Sequence, residues 1–361
     1  MKPARIADVS IIMSVYNTEE LYLRKAIESM LKQTFTNFEF IIVMDCPEDN
    51  SEDIVAEYLE QDDRIRVMYN EENLGLTKSL NRALEIATGR YIARMDADDF
   101  SVPTRLEVQY SYLETHPEIG VVGGHVYTVN KKHRSMTAWN TNPETTKVQM
   151  LFHNAGVPHP TAMFRREING KPVRYNENIL KSQDFELWSR LVHRTRIVVL
   201  DEVFLIYRIH PGQISADITE QYFYSRCIVE NQMRNYLDVE SFETIEVAAD
   251  LYFGRKEVTD ERYTKMFSTI CECNEKTHVY NTKELKKVLE EIYVEYRYKK
   301  LMGKYSKIKV LLALLKEFGV ARVYCFIKLF LEPKIRHDKL VRRFARNERN
   351  LIQDALGEKD E

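Results

Sequence analysis

Three carboxylates stand within four residues at Asp96, Asp98 and Asp99, directly after the apolar run Tyr91-Ile92-Ala93. Residues two apart share a side of an extended chain, so Asp96 and Asp98 point together from the end of that strand while Asp99 begins the turn. Crowded carboxylates raise one another's pKa unless a cation compensates them. Hard oxygen ligands suit Mg2+, Mn2+ or Ca2+, and a Mg2+-type ion held by one or two carboxylates fills its shell with water and substrate phosphates. The ligand predicted by this pattern is a diphosphate. Turn chemistry is the alternative, because Asp99 or Ser101 would also cap the helix that Pro103 opens. An EF-hand loop is excluded: Phe100 offers no side-chain oxygen at its fifth position and Ser101 replaces the glycine at its sixth.

The elements that position the cluster are legible upstream. Val9–Ser14 reads as a buried strand feeding the loop Val15-Tyr16-Asn17. Asn17 with Glu20 reads as a capping box for a helix striped by Leu23, Ala26, Ile27, Met30 and Leu31. Phe38–Met44 repeats the strand signal and ends in Asp45, and Ser51 is expected to cap a helix carrying Ile54, Val55, Tyr58 and Leu59. Ile65–Met68 is a third strand; the next helix, with Leu76, Leu80, Ala83, Leu84 and Ala87, is expected to stop at Gly89 as a C′ glycine. Strands alternating with helices imply an α/β fold with a doubly wound, mostly parallel sheet, which binds ligands at the carboxyl ends of its strands. Tyr16, Asn17, Asp45 and the aspartate cluster all fall there. Taken singly, each has a plain role as loop aromatic, cap or turn former. Neither G-x-G-x-x-G nor a phosphate-gripping G-x-x-x-x-G-K-[ST] is present, so a cation on Asp98 is the natural holder of phosphate charge.

Composition narrows the classes further. A chain of 361 residues with 44% hydrophobic and 30% charged residues is an ordinary globular protein of about two domains. A net charge of −3 argues against nucleic-acid partners, which usually meet a basic domain. Five cysteines without a C-x-x-C pair give neither a disulfide framework nor a zinc site and read as reduced thiols of a cytoplasmic protein. Met1–Asp8 lacks the apolar core of a signal peptide, and no run is long enough for a membrane span.

Taken together, Ser14-Val-Tyr-Asn17, Val43-Met-Asp-Cys-Pro-Glu-Asp-Asn-Ser51, Asn73-Leu-Gly75, Gly89-Arg-Tyr-Ile92 and Asp96-Ala-Asp-Asp99 resemble, in order and spacing, the inverting glycosyltransferases of family 2. The resemblance covers roughly the first 210 residues and is specific in combination, though each piece alone is weak. It implies a GT-A, Rossmann-like fold and a divalent metal, Mn2+ or Mg2+. It implies that Tyr16 contacts the nucleotide base, that Asp45 binds the base edge, and that Asp98 coordinates the ion on the donor diphosphate. Asp96 would contact the ribose or support that ion, and Ser14, Asn17, Asn73 and Lys78 would complete the nucleotide-binding set. One departure is that the family usually has paired aspartates and a glycine where this chain has Met44-Asp45-Cys46-Pro47.

Downstream, Pro103–Leu106 opens a helix to about Thr115, and Ile119–Gly124 reads as a strand with close backbone packing. Residues 131–143 read as an irregular loop suited to an acceptor. His159 is read as an acceptor contact, with a packed loop histidine as the alternative. In Lys181-Ser-Gln-Asp184-Phe-Glu-Leu-Trp188, Ser182 is expected to cap a helix with Asp184 in its first turn, which suits the helix dipole whatever the function. The resemblance makes Asp184 the catalytic base, since inversion needs a carboxylate to take the acceptor proton on the face opposite the leaving diphosphate. The family often has Glu-Asp where this chain has Gln183-Asp184, and Glu186 is the fallback on another helix face. Val198–Leu200 and Val203–Arg208 read as two strands. After them, the resemblance gives Arg208 or His210 to the diphosphate or the metal shell, against a plain turn at Pro211-Gly212.

After Ser215 glycine and proline nearly vanish, and residues 216–361 read as a helical C-terminal region following a catalytic domain at 1–215. Leu311, Leu314, Leu315 and Phe318 form a helical stripe and Phe326–Leu331 a second apolar block. From Glu332 to Asn350 seven Lys or Arg face three acidic residues, an excess of four. This tail has two readings, an interfacial anchor at the cytoplasmic membrane face or a helix packed on the catalytic domain or on a second protomer. The expected activity is metal-dependent, inverting transfer of a sugar from a nucleotide diphosphate donor, a UDP-sugar, to a hydroxyl of a glycan or lipid-linked oligosaccharide in surface polysaccharide synthesis. The alternatives are a sugar nucleotidyltransferase, whose glycine- and lysine-rich triphosphate loop is missing near the N-terminus, and a non-catalytic nucleotide-binding assembly subunit, which would not need these four aspartates.

Overall fold

Apolar, β-branched runs set the centre of the sheet. β1 (Val9–Val15), β2 (Phe38–Met44), β3 (Ile65–Tyr69) and β4 (Tyr91–Arg94) pair in parallel in the order β3-β2-β1-β4. β2 is buried along its whole length, as a strand covered on both faces must be. The connections α1 (Glu20–Leu31), α2 (Ser51–Gln61) and α3 (Leu76–Ile86) are amphipathic helices. Leu23, Ala26, Ile27 and Met30 of α1 join Ile54, Val55 and the strand side chains in one core. The computed structural model describes residues 7–129, 134–137, 142–210, 218–253, 256–302, 309–310, 312–319 and 343–357.

Past β4 the same sheet continues through β8 (Met163–Arg165), β6 (Ile119–Val129), β11 (Arg196–Arg208) and β5 (Phe100–Ser101), with β7 (Arg134–Thr137) beside β6. β8 runs antiparallel to both its neighbours, β6 and β11 are parallel, β5 is antiparallel to β11, and β9 (Glu167–Ile168) and β10 (Lys171–Pro172) form a separate two-stranded sheet. With α4 (Arg105–Thr115) and α6 (Gln183–Leu191) flanking it, this is the expected α/β architecture with a mostly parallel sheet. The two strand signals at 198–200 and 203–208 form one strand, β11, whose register shifts between Val199 and Val203 as a bulge around Asp201-Glu202.

Several helix ends differ from expectation. Asn17 does not cap α1: it sits at φ +46° and accepts a hydrogen bond from the Glu48 backbone N–H at 2.8 Å. Ser51 is the first residue of α2 and faces Thr18, and Ser182 precedes α6 at φ +59° without a capping bond. Gly89 lies beyond the α3 cap at Ala87, and its requirement is spatial: a Cβ there would come within 2.5 Å of the Ser10 backbone nitrogen.

The described residues belong to two compact units. The first comprises Met1–Thr141, Gly156–Ala216 and Leu340–Glu361, and the second Asn142–Ala155 and Asp217–Lys339. The second unit contains α5 (Pro143–Gln149), α7 (Ile218–Leu237), α8 (Phe242–Phe253), α9 (Asp260–Thr277) and α10 (Thr282–Met302). Thr145 on α5 donates to Glu284 on α10 at 2.5 Å, which ties residues 142–155 to a helical unit rather than to the sheet that the sequence division at 215 assumed. Leu314 packs with Val294 and Val310 in the same unit.

The last helix among the described residues, Arg349–Leu356, belongs to the first unit. Ile352 and Ala355 are buried with Phe100, Tyr127, Val129, Val203 and Ile206, and Lys25 pairs with Asp354 at 2.5 Å. For residues 343–357 the packed reading of the tail therefore applies, by apolar burial against the edge of the sheet. The remainder of the apolar and basic stretch, 320–342, lies outside the described residues, as do Leu311, the loop residues 130–133 and 138–141, and 211–217. Among the described residues no helix is long and apolar enough to cross a membrane.

Candidate active site

Parallel pairing brings the carboxyl ends of β2, β1 and β4 to one edge. Val15 lies opposite Met44, and Ile12 opposite Arg94, so Tyr16, Asp45 and Asp96 leave neighbouring strands at that edge. The pairing of Ile206 with Phe100 carries the end of β11, with Arg208 and His210, to the aspartate cluster. Tyr16 is 47% exposed, an open aromatic face at the end of β1. Ser14 is half-buried on β1, while Asn73 and Lys78 are exposed at the start of α3.

Asp45 is buried. Its Oδ1 accepts from Asn70 Nδ2 at 2.5 Å and from the Leu74 backbone N–H at 2.8 Å, and its Oδ2 accepts from the Gly75 N–H at 2.9 Å. Gly75, at φ +81°, has the backbone freedom this turn needs. The visible work of Asp45 is thus to shape the Asn73–Gly75 loop, where Asn73 Oδ1 also accepts from Gly75 N–H at 3.1 Å.

Asp96, Asp98 and Asp99 each bring a carboxylate oxygen to within 4.8 Å of the others. Asp96 forms an ion pair with Arg94, whose side chain is buried two residues earlier on β4. Asp98 Oδ2 is 2.8 Å from His210 Nε2. Asp99 is fully buried; its Oδ1 accepts from the Arg208 N–H at 3.2 Å and its carbonyl accepts from Arg208 Nη2 at 3.2 Å. Asp99 Oδ2 is buried without a hydrogen-bond partner among the described residues. Burial and then repulsion by Asp98 and Asp96 push the Asp99 carboxyl well above the usual range. Burial also raises Asp96, against the pull of Arg94 and with the push of Asp98. Three carboxylate oxygens at this spacing, in a cluster where Asp99 Oδ2 is buried and unsatisfied, fit a hard divalent cation, with His210 bonded to Asp98 beside them.

Asp184 lies in the first turn of α6, where its Oδ1 accepts from the Phe185 N–H at 2.8 Å. Phe185, Leu187, Trp188 and Leu191 anchor that helix, and Trp188 Nε1 donates to the Val157 carbonyl at 3.1 Å. The Asp184 charge raises both Asp96 and the Tyr175 phenol, which puts it within electrostatic reach of the cluster. Glu186, in contrast, is buried and held by Arg190 at 2.7 Å, a structural pairing.

His159 has the geometry of the packed alternative. It is 8% exposed, its Nε2 is 2.7 Å from Tyr175 Oη, and its ring meets Trp188 edge-on. Burial pushes its pKa well below the ordinary histidine value, which keeps it neutral. Arg208 is buried rather than open to a ligand, with its guanidinium over the Tyr22 ring at 4.7 Å. Sequence reasoning passed over Arg94 and Asn70, the partners of Asp96 and Asp45. Arg94 left a signal, a basic residue inside an apolar strand and two positions before a carboxylate, hence on its side of the strand.

Residues 10–171 match the family model described as glycosyl transferase family 2. The chain is 35% identical over 234 residues to an uncharacterized glycosyltransferase of Methanocaldococcus jannaschii, covering 63% of this chain and 80% of that one. It is 34% identical over 215 residues to the O-antigen biosynthesis glycosyltransferase WbnJ of Escherichia coli, covering 57% and 82%. Its fold is similar to that of S. aureus TarS 1-349, solved in complex with UDP-GlcNAc, with a TM-score of 0.54 at 20% identity over 83% of this chain and 93% of that one. The mostly parallel sheet and its likeness to TarS give the chain a GT-A fold. The chain belongs to glycosyl transferase family 2.

Proposed function

We propose that the protein transfers a sugar, with inversion and in a metal-dependent reaction, from a UDP-sugar to a hydroxyl of a glycan or lipid-linked oligosaccharide in surface polysaccharide synthesis. The observation that carries this reading is the Asp96–Asp98–Asp99 cluster, with its buried unsatisfied oxygen and Asp184 in electrostatic reach. The named role of WbnJ in O-antigen biosynthesis and the UDP-GlcNAc bound to TarS support the substrate class.

Asp98 would hold the cation with His210 beside it, Asp96 would support it or meet the ribose, and Asp99 would set the depth of the site from below. When bound, the cation neutralises charge that builds on the leaving diphosphate. Tyr16 offers its open ring to the base, and the Asn73–Gly75 turn, shaped by Asp45, closes that side. Ser14 and Lys78 would add further nucleotide contacts, and Asn17, whose Oδ1 is held by the Glu48 N–H, would do so through its remaining amide donors. Asp184 takes the proton of the acceptor hydroxyl as its oxygen bonds to the anomeric carbon, and the diphosphate leaves with the electrons of the broken C–O bond. The place of Asp184 in the first turn of α6 sets that carboxylate beside the positive end of the helix dipole. The test is a screen of UDP- and GDP-sugars for nucleotide release with Mn2+ or Mg2+ and with chelator; release that ignores chelation removes the metal from the reading.

A further inference from the structure

His210 reaches the cluster from a point where the sheet no longer controls the chain. The last ladder residue of β11 is Arg208, and Ile209 N–H still donates to the Val129 carbonyl at 3.0 Å, but His210 lies one residue beyond. An imidazole at that position has free side-chain rotors, and an unrestrained ring would lose affinity for anything it ligates in proportion to the rotamers it must surrender. Among the described residues its ring is held by Asp98 and by Tyr22, whose ring centroid is 5.3 Å from that of His210 at a tilt of 43°.

Tyr22 stands in the first turn of α1, half-buried. The same ring lies 4.7 Å from the Arg208 guanidinium, whose own donor reaches the Asp99 carbonyl. One aromatic side chain therefore touches both residues by which the end of β11 grips the aspartate cluster. The turn carrying Tyr22 is itself braced on either side. Lys25 pairs with Asp354, and Leu21 abuts Gly357 so closely that a Cβ there would lie 2.7 Å from Leu21 Cδ2.

We infer that Tyr22 is a positioning residue: its ring, packed on Arg208 and His210, fixes the imidazole against Asp98 and so sets the affinity of the cluster for a divalent cation. The inference rests on the metal-dependent reading above. It requires an aromatic ring at position 22 but not the phenolic hydroxyl, because both contacts are made to the ring.

The experiment is Mn2+ binding to the full-length chain without donor, read from the electron paramagnetic resonance signal of free Mn2+. Tyr22→Phe is expected to bind within about twofold of the native protein, and Tyr22→Leu roughly three- to tenfold more weakly. In the background of His210→Ala, which weakens binding on its own, Tyr22→Leu is expected to add less than about twofold, since coupled neighbours are not additive. Tyr22→Gln carries the same comparison if the leucine variant does not fold. Native affinity in Tyr22→Leu, or the same weakening of roughly three- to tenfold in both backgrounds, overturns the inference while leaving the metal site intact. Failure of the native chain to bind Mn2+, or equal binding by Asp98→Ala, overturns the metal-dependent reading itself and this inference with it.

Discussion

Replacing Asp98 by alanine should have opposite effects on stability with and without a cation. Two unit charges 4.8 Å apart repel by about 3.5 kcal/mol at an effective dielectric constant of 20. Asp98 contributes such repulsion to both Asp96 and Asp99, each of which it raises. Its loss therefore relieves the cation-free protein, and Asp98→Ala should melt no lower than the native chain in chelator. At a cation concentration of 100 Kd the native protein gains about 2.7 kcal/mol, or roughly 5–10 °C at about 2–4 °C per kcal/mol. If removing a direct ligand weakens binding about ten- to a hundredfold, the gain at that same concentration falls to about 0.4–1.4 kcal/mol, or roughly 1–5 °C. Thermal melts by circular dichroism at matched Mn2+ and chelator concentrations measure both effects. Equal cation shifts in the two proteins, or a large loss of stability in chelator alone, would refute the reasoning.

Acidity should act through the same cluster. Asp99 has a folded pKa raised above its ordinary value of 3.8, so its cation-free ionisation destabilises the fold, an effect absent below that ordinary value and complete above the raised one. Cation binding needs the ionised form, so affinity should rise with pH through that window and binding should release a proton; calorimetry in buffers of different ionisation enthalpy would show no such release if the cluster is wrongly described. Asp45→Asn keeps only one acceptor oxygen for the three donors now held, so it should cost about 1–3 kcal/mol and open the Asn73–Gly75 turn to proteolysis. An unchanged cleavage pattern would remove its loop-shaping role. Ile352→Ala, at 2% exposure on the buried face of the helix Arg349–Leu356, should cost about 2–5 kcal/mol in urea unfolding. A cost below about 0.5 kcal/mol, the range of surface substitutions, would mean that the helix does not hold the sheet edge in solution.

The parts of the fold that could be read from sequence were those whose burial is simplest. β1, β2 and β4 are buried along almost their whole length, so most of their residues are apolar, and the aspartates stand out where the runs end. The helix that carries Asp184 was legible because Phe185, Leu187, Trp188 and Leu191 impose helical spacing, whereas the role of its carboxylate came only from the resemblance to family 2. β8 escaped because three residues carry too little pattern, although its pairing with β4 and β6 joins the two parts of the sheet. Asn17 looked like a cap by residue type, yet the chain turns there through a left-handed residue and spends its side chain on Glu48. Arg94, Asn70 and Tyr22 act through partners far away in sequence, and local spacing carries no record of such contacts. The same holds for Ile352, whose apolar face is matched to strands some 150 to 250 residues earlier in the chain.

Asp184 is proposed to remove the acceptor proton at a site whose donor side is complete without it. Donor affinity and single-turnover transfer should therefore be measured side by side for the native protein and Asp184→Asn, using a UDP-sugar that the native chain turns over with Mn2+. The predicted result is donor binding within about twofold of native and transfer slowed by about 10²–10⁴-fold, the usual span for loss of a general base. Near-native transfer by Asp184→Asn would contradict the claim.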